Sequence, residues 1–170
     1  MRKLASFNFI TLNGFLSDLN GDISWHRHGA EENEYAAEGL QSGSTLLFGR
    51  KTYEMMASYW PTDMAMQNDP TVAEGMNNAD KIVISRTMKK ADWKNTKIIS
   101  TNVVEEIKRL KELPGSDITM LGSGSILSLL AENNLVDDYQ IMIDPVAIGS
   151  GTAIFQGIKL PLNLKLTTVK

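Results

Sequence analysis

Residues 4–12 set small polar side chains (Ser6, Asn8, Thr11) among Leu4, Phe7, Phe9 and Ile10. This alternation, rich in β-favouring types, predicts a first strand ending at the turn signal Asn13-Gly14. A long loop follows, punctuated by Gly14, Asp18, Asn20, Gly21 and Asp22 as far as Trp25, and residues 31–40 have the glutamate-rich composition of a helix. Residues 44–49 form a short apolar run closed by glycine, and residues 51–59 place Tyr53, Met56 and Ala57 at i, i+3 and i+4. The two together predict strand, turn and helix. Pro61 stops that helix, and the polar stretch through residue 78, with its Met and Asn, predicts a surface excursion.

Residues 81–85 and 97–100 are compact β-branched runs, and residues 103–113 carry Val104, Ile107 and Leu110 in a helical pattern closed by Pro114-Gly115. Residues 117–121 predict a buried strand, Gly122-Ser123-Gly124-Ser125 a glycine-rich turn, and residues 126–131 a helix that fades at Asn133-Asn134. Residues 139–143 and 164–169 predict two late strands around Gly149-Ser150-Gly151. The order predicts an α/β fold with a mixed, mostly parallel central sheet flanked by helices and antiparallel strands at the C-terminal end. There is no internal repeat or low-complexity tract.

Composition narrows the function classes. A chain of 170 residues suits one domain, and 42% hydrophobic with 22% charged residues is the balance of an ordinary globular protein. A net charge of −3 argues against a nucleic-acid partner. The absence of cysteine removes disulfides, thiolate nucleophiles and Cys-ligated zinc. Residues 1–10 carry neither a leader-like nor a membrane-spanning stretch, so a cytoplasmic protein without a membrane partner is expected.

Two strand-to-helix junctions can carry chemistry, Phe48-Gly49-Arg50-Lys51-Thr52-Tyr53 and Leu121-Gly122-Ser123-Gly124-Ser125-Ile126-Leu127. A helix N-terminus offers unpaired N–H donors and a positive dipole end, glycine admits an anion to the backbone, and Arg50 and Lys51 add charge. Two such junctions suit a pyrophosphate, whereas either alone is ordinary turn chemistry. Neither is a P-loop, and the second lacks the third glycine of a dinucleotide fingerprint. A third piece, Ile84-Ser85-Arg86, ends a strand with a hydroxyl and a guanidinium, groups suited to a ribose edge or a 2′-phosphate and equally to plain surface solvation.

These segments, with Asn13-Gly14-Phe15, Gly21-Asp22-Ile23-Ser24-Trp25, Val136-Asp137-Asp138-Tyr139 and Asp144-Pro145-Val146-Ala147-Ile148-Gly149-Ser150-Gly151, follow one another in an order and spacing that resembles a known family. It is the reductase domain of the bifunctional riboflavin-biosynthesis deaminase-reductase, with its stand-alone dihydrofolate-reductase-like relatives. The resemblance covers almost the whole chain and implies NADPH as cofactor and a homodimer. It also implies roles: Gly49, Arg50, Lys51 and Thr52 on the pyrophosphate and adenosine phosphate, Ser85 and Arg86 at the adenosine end, and Gly122, Ser123, Gly124, Ser125, Ile126 and Leu127 on the pyrophosphate from the other side. Residues 6–8 would lie beside the nicotinamide, with the loop over residues 14–25 as its lid.

At the acceptor end one proton donor is wanted. Dihydrofolate reductases place a carboxylate after their loop tryptophan, and here Trp25 is followed by Glu31 and Glu32, of which Glu32 is the candidate acid, against the plain dipole role of acids at a helix start. Asn13 and Asp22 are substrate candidates on the resemblance, and Trp25 either stacks on a flat substrate or pins the loop. His26 and His28 read as solvated loop histidines, and without a third ligand no metal site is expected. The chain departs from the family in having Ser24 before the tryptophan where dihydrofolate reductases carry Pro, and in having no deaminase domain. The expected activity is hydride transfer from NADPH to a small pterin- or aminouracil-like heterocycle. The alternative is a non-catalytic dinucleotide-binding or regulatory module of the same fold.

Overall fold

The computed structural model describes residues 1–169, with the backbone alone described at Ala30, Glu31, Asn33, Ala36 and Gln41. Six strands form one parallel sheet in the order β5-β4-β3-β6-β1-β7: β1 is Leu4–Thr11, β3 Thr45–Gly49, β4 Lys81–Ile84, β5 Thr96–Ile99, β6 Ile118–Leu121 and β7 Asp138–Asp144. The helices between them are α1 (Ala30–Gln41), α2 (Arg50–Tyr59), α3 (Asp63–Asn68), α4 (Pro70–Asn78), α5 (Val103–Glu112) and α6 (Gly124–Glu132). β2 (Phe15–Ser17) and β8 (Thr152–Ala153) pair antiparallel in a separate ribbon.

Strands buried on both sides read as continuous apolar runs, and β3 and β4 are buried at every position. Alternate residues go to opposite faces. Leu47, Ile82 and Ile84 join Leu4, Met120, Ile107, Leu110, Leu127 and Leu130 in a core under α5 and α6. Leu46, Phe48 and Val83 join Tyr53, Val72, Met76 and Trp93 in a second core under α2 and α4.

The mostly parallel sheet and the helical layers match the sequence expectation, with two local differences. Residues 139–143 form a strand parallel to β1, in register from Ala5↔Asp138 to Thr11↔Asp144, so the antiparallel pairing is supplied by the β2–β8 ribbon. Residues 164–169 form no strand despite their alternation: they pair with neither open edge of the sheet, β5 or β7, and Leu164 and Leu166 are exposed.

The stretch expected as a surface excursion is corrected to two helices. Thr62 accepts a hydrogen bond from the Ala65 amide as the N-cap of α3, and Pro70 sits at the start of α4, where its missing N–H costs nothing. Ala65, Val72, Ala73 and Met76 are buried.

The buried Lys111 ties three elements together. Lys111 of α5 donates to the Leu135 carbonyl at 2.8 Å and to the Asp137 carboxylate at 2.5 Å, and Asp137 also accepts from the Leu4 amide at 2.7 Å. Burial alone would raise the Asp137 carboxyl, but the bonds from Lys111 and Leu4 outweigh it and hold the group below its ordinary value. A carboxyl lowered by folding gives stability that is complete above its unfolded value and is lost as pH falls through the folded one. Asp137→Asn is therefore expected to cost about 1–2 kcal/mol at neutral pH, discounted for the partial exposure of the pair. In urea melts across pH, the gap between wild type and variant should close below about pH 4.

Candidate functional site

The chain leaves β3 toward β4 on one side and leaves β6 toward β7 on the other, so the carboxyl ends of β3 and β6 flank a switch point of the sheet, the usual ligand crevice of an open α/β fold. The two glycine junctions fall on these ends. Gly49 and Gly122 bring the starts of α2 and α6 into contact. A Cβ on Gly49 would stand 3.2 Å from the Ser123 hydroxyl, and one on Gly122 3.2 Å from the Thr52 hydroxyl. Gly122 (φ +57°) and Ser123 (φ +66°) are consecutive left-handed residues, which turns β6 sharply into α6.

The Gly49 amide donates to the Ser123 hydroxyl at 2.7 Å, and that hydroxyl lies 3.1 Å from both the Thr52 hydroxyl and the Leu121 carbonyl. Gly49, Thr52, Gly122, Ser123 and Gly124 are thus one packed unit, joined on their own helices by Arg50, Lys51, Ser125, Ile126 and the buried Leu127. The Gly124 and Ser125 amides of α6 and those at the start of α2 belong to the turn that a helix cannot satisfy internally, whereas the Ile126 and Leu127 amides both donate to the Ser123 carbonyl at 2.9 Å. Leu16 of β2 lies against Gly124 and closes the α6 end of the crevice.

The next strand end, beyond β4, carries Ser85 and Arg86. The Ser85 hydroxyl is buried and accepts from the Thr87 and Met88 amides at 3.3 and 3.0 Å, which shapes the turn. Arg86 is exposed. Arg50 reaches across to this turn, its Nη1 donating to the Thr87 hydroxyl at 2.8 Å while its Nε is held by Glu54 at 2.7 Å. Thr87 is a member of the site that the sequence reading did not include; its place beside Arg50 depends on the neighbouring strand ends.

On the inner side, β1 runs four residues past the last pairing with β6, Phe7↔Leu121, and the Gly122 amide donates to the Phe7 carbonyl at 3.2 Å. Asn8, next along, is 2% exposed, and among the described residues neither its amide nitrogen nor its amide oxygen has a hydrogen-bond partner, nor does the Ser6 hydroxyl on the same face. Burying an amide unpaired costs about 1–3 kcal/mol, so an orphaned Asn marks a place where a polar group is wanted.

The acceptor-end candidates do not converge. Asn13 uses its amide to hold the 145–151 loop, donating to the Ile148 carbonyl at 2.8 Å and accepting from the Ile148 amide at 3.3 Å. Asp22 is exposed and accepts from the Ser24 amide; that bond and the Ser24 hydroxyl hold its carboxyl below the ordinary range, against a small opposing effect of burial. Trp25 is half-buried, with its indole N–H buried and unpaired and its edge toward His26.

Glu32, the candidate acid, is the centre of a cluster. Its Oε2 lies 3.1 Å from His26 Nε2 and its Oε1 3.2 Å from His28 Nδ1. The solvated reading of His26 is corrected: its side chain is 2% exposed, stacked on Phe9 with ring centroids 3.9 Å apart, and its Nδ1 lies 3.0 and 3.1 Å from the two oxygens of Asp144. His28 is solvent-facing, as expected. The missing third ligand is corrected too, since Glu32 joins the two histidines in one group. Phe7, Phe9 and Tyr35 wall the same face of β1. Among the described residues no helix is long and apolar enough to cross a membrane.

A family model described as the RibD C-terminal domain matches residues 2–170. The chain is 29% identical over 161 residues to the Bacillus subtilis protein YyaP, covering 95% of this chain and 84% of that one. It is 23% identical over 171 residues to B. subtilis YwjB, with 99% and 91% covered. Both relatives are named as uncharacterized. Among solved structures it is similar to a putative riboflavin biosynthesis protein from Shewanella sp. PV-4, with TM-score 0.69, 18% identity, and 94% and 86% of the two chains covered. It is also similar to the Thermotoga maritima diaminohydroxyphosphoribosylaminopyrimidine deaminase/5-amino-6-(5-phosphoribosylamino)uracil reductase, with TM-score 0.64 and 14% identity. That alignment takes 97% of this chain and about half, 51%, of the bifunctional one.

Proposed function

We propose, since this chain belongs to the RibD C-terminal domain family, that it is an NADPH-dependent reductase passing a hydride to a small heterocycle of the pterin or aminouracil class. The observation that carries the reading is the pair of glycine-opened helix starts locked together at the β3/β6 switch point. A pyrophosphate suits the first-turn amides of α2 and α6, and the 2′-phosphate suits the Arg50 guanidinium held beside Thr87. The backbone of residues 6–8 borders the inner end of the crevice and suits the nicotinamide end, with Phe7 beside it on the face that holds the acceptor. On these grounds the residues fit NADPH, which supplies the hydride when bound.

The chain's own part is positioning and proton supply. Leu16, lying against Gly124, is placed to exclude water from the inner end of the crevice. Across β1, Phe7, Phe9 and Tyr35 offer flat apolar walls for a planar ring, and Glu32, backed by His26, is the group placed to hold or deliver a proton there. The 14–28 loop contributes both Leu16 and His26, so it serves both halves of the site.

Titration of the purified protein with NADPH and separately with NADH, followed by tryptophan quenching, tests the reading. Saturable binding with preference for NADPH supports it, and binding to neither overturns it. NADPH binding without oxidation across pterins and aminopyrimidines favours the non-catalytic module. A separate stability check is Asn8→Leu: deleting an unpaired buried amide should leave the protein as stable or up to about 2 kcal/mol more so in urea melts.

A further inference from the structure

We propose that His26, His28 and Glu32 form a binding site for one divalent first-row transition cation of the zinc class. One ligand atom from each residue lies within 4.8 Å of the other two, and the Glu32 carboxylate faces both rings, with Oε2 3.1 Å from His26 Nε2 and Oε1 3.2 Å from His28 Nδ1. Ligands about 2.0–2.2 Å from a tetrahedral metal stand roughly 3.4 Å from one another, so the three close in slightly on the ion, the exposed His28 being the freest to move.

The hydrogen-bond chemistry of His26 leaves a place for a cation. A neutral imidazole has one N–H, and the two Asp144 oxygens at Nδ1 claim it. The Nε2 lone pair then faces a Glu32 carboxylate oxygen, acceptor against acceptor, in a place where the ring is almost completely buried. A proton between those two atoms would satisfy them, with the His28 ring donating to the other Glu32 oxygen, and a cation would stand in for these protons. A metal ion uses all three donors. Asp144 then plays the part that a carboxylate commonly plays behind a metal-bound histidine, fixing the tautomer and the ring plane. Phe9 against the ring and the Trp25 edge supply the apolar surround, and the exposed side at His28 leaves a coordination position open.

Two imidazoles with one carboxylate select zinc, cobalt, nickel or iron(II) over magnesium and calcium, which prefer oxygen. The inference is independent of dinucleotide binding and changes one part of the acceptor reading. With the cation bound, Glu32 is a ligand, and an acceptor's oxygen or ring nitrogen meets the open coordination position in place of the carboxylate.

The test uses chelator-treated full-length protein titrated with Zn²⁺ by calorimetry and with Co²⁺ by visible absorption. Wild type should bind one equivalent of Zn²⁺ saturably, and Co²⁺ should give the strong ligand-field bands of a site with four or five ligands. His28→Ala alters an exposed side chain and should keep the fold by circular dichroism while losing more than about tenfold in Zn²⁺ affinity. Asp144→Asn should lose about 10- to 100-fold with a similar Co²⁺ spectrum. No saturable binding by wild type, or binding that His28→Ala leaves unchanged, overturns the proposal. NADPH titration of the same preparations keeps the two readings apart: cation binding without NADPH binding sinks the reductase reading alone, and the reverse sinks this one alone.

Discussion

Arg50→Ala is expected to weaken NADPH binding by about 10- to 100-fold while NADH binding falls by no more than about threefold, the difference being one charge-assisted phosphate contact. Arg50 is already set for that contact, with Nε fixed by Glu54 and Nη1 by Thr87, so little side-chain freedom is lost when a phosphate arrives. Ser85→Ala should act in the same direction and less strongly, because the Ser85 hydroxyl shapes the turn that presents Thr87. Parallel titrations of the variants with NADPH and NADH measure the ratio. Equal weakening of both dinucleotides would move Arg50 from the adenosine phosphate to the pyrophosphate.

The largest stability loss is expected from Lys81→Met, about 3–4 kcal/mol, or roughly 10 °C in melting temperature for a chain of this size. Lys81 is 1% exposed and caps the end of α4, its Nζ donating to the Met76, Asn77 and Ala79 carbonyls at 2.8, 3.2 and 2.6 Å and standing 4.6 Å from the centre of the Trp93 ring. Methionine keeps the length and loses every donor. Burial, helped by Lys94 and opposed by Asp80, brings the ammonium down from its ordinary 10.5 to about 8. The unfolded chain therefore holds this proton to a higher pH than the folded one, and wild type should gain stability between those two values. The variant should show no such gain in chemical melts from pH 7 to 10.5.

Legibility followed the range of the interactions. The junctions at Gly49 and Gly122 could be read because a strand, a glycine and a helix are consecutive in the chain, and the structure sets them side by side at one edge. The helices at residues 63–78 were hidden by their shortness and by polar Met- and Asn-bearing faces, although Thr62 and Pro70 were available as start signals. Residues 164–169 show the opposite failure, since alternation describes a strand's faces and says nothing of whether the segment docks on an edge. His26 was beyond local reading: what buries it is Phe9 on one side and, 118 residues away, Asp144 on the other. Asn8 was visible as a polar residue within a strand, but only the packed structure shows that its amide finds nothing to bond.

Gly49, Thr52 and Ser123 bolt two helix starts to the ends of two central strands, whereas Leu16, Trp25, His26 and His28 all hang from the single connection between β1 and α1. Inheritance can act on these parts separately. Insertions or exchanges within residues 14–28 would re-tailor what the site accepts while the strand ends and the helices on them stay put. A relative with a different acceptor should therefore differ most in that one stretch, and grafting the stretch should carry acceptor preference with it.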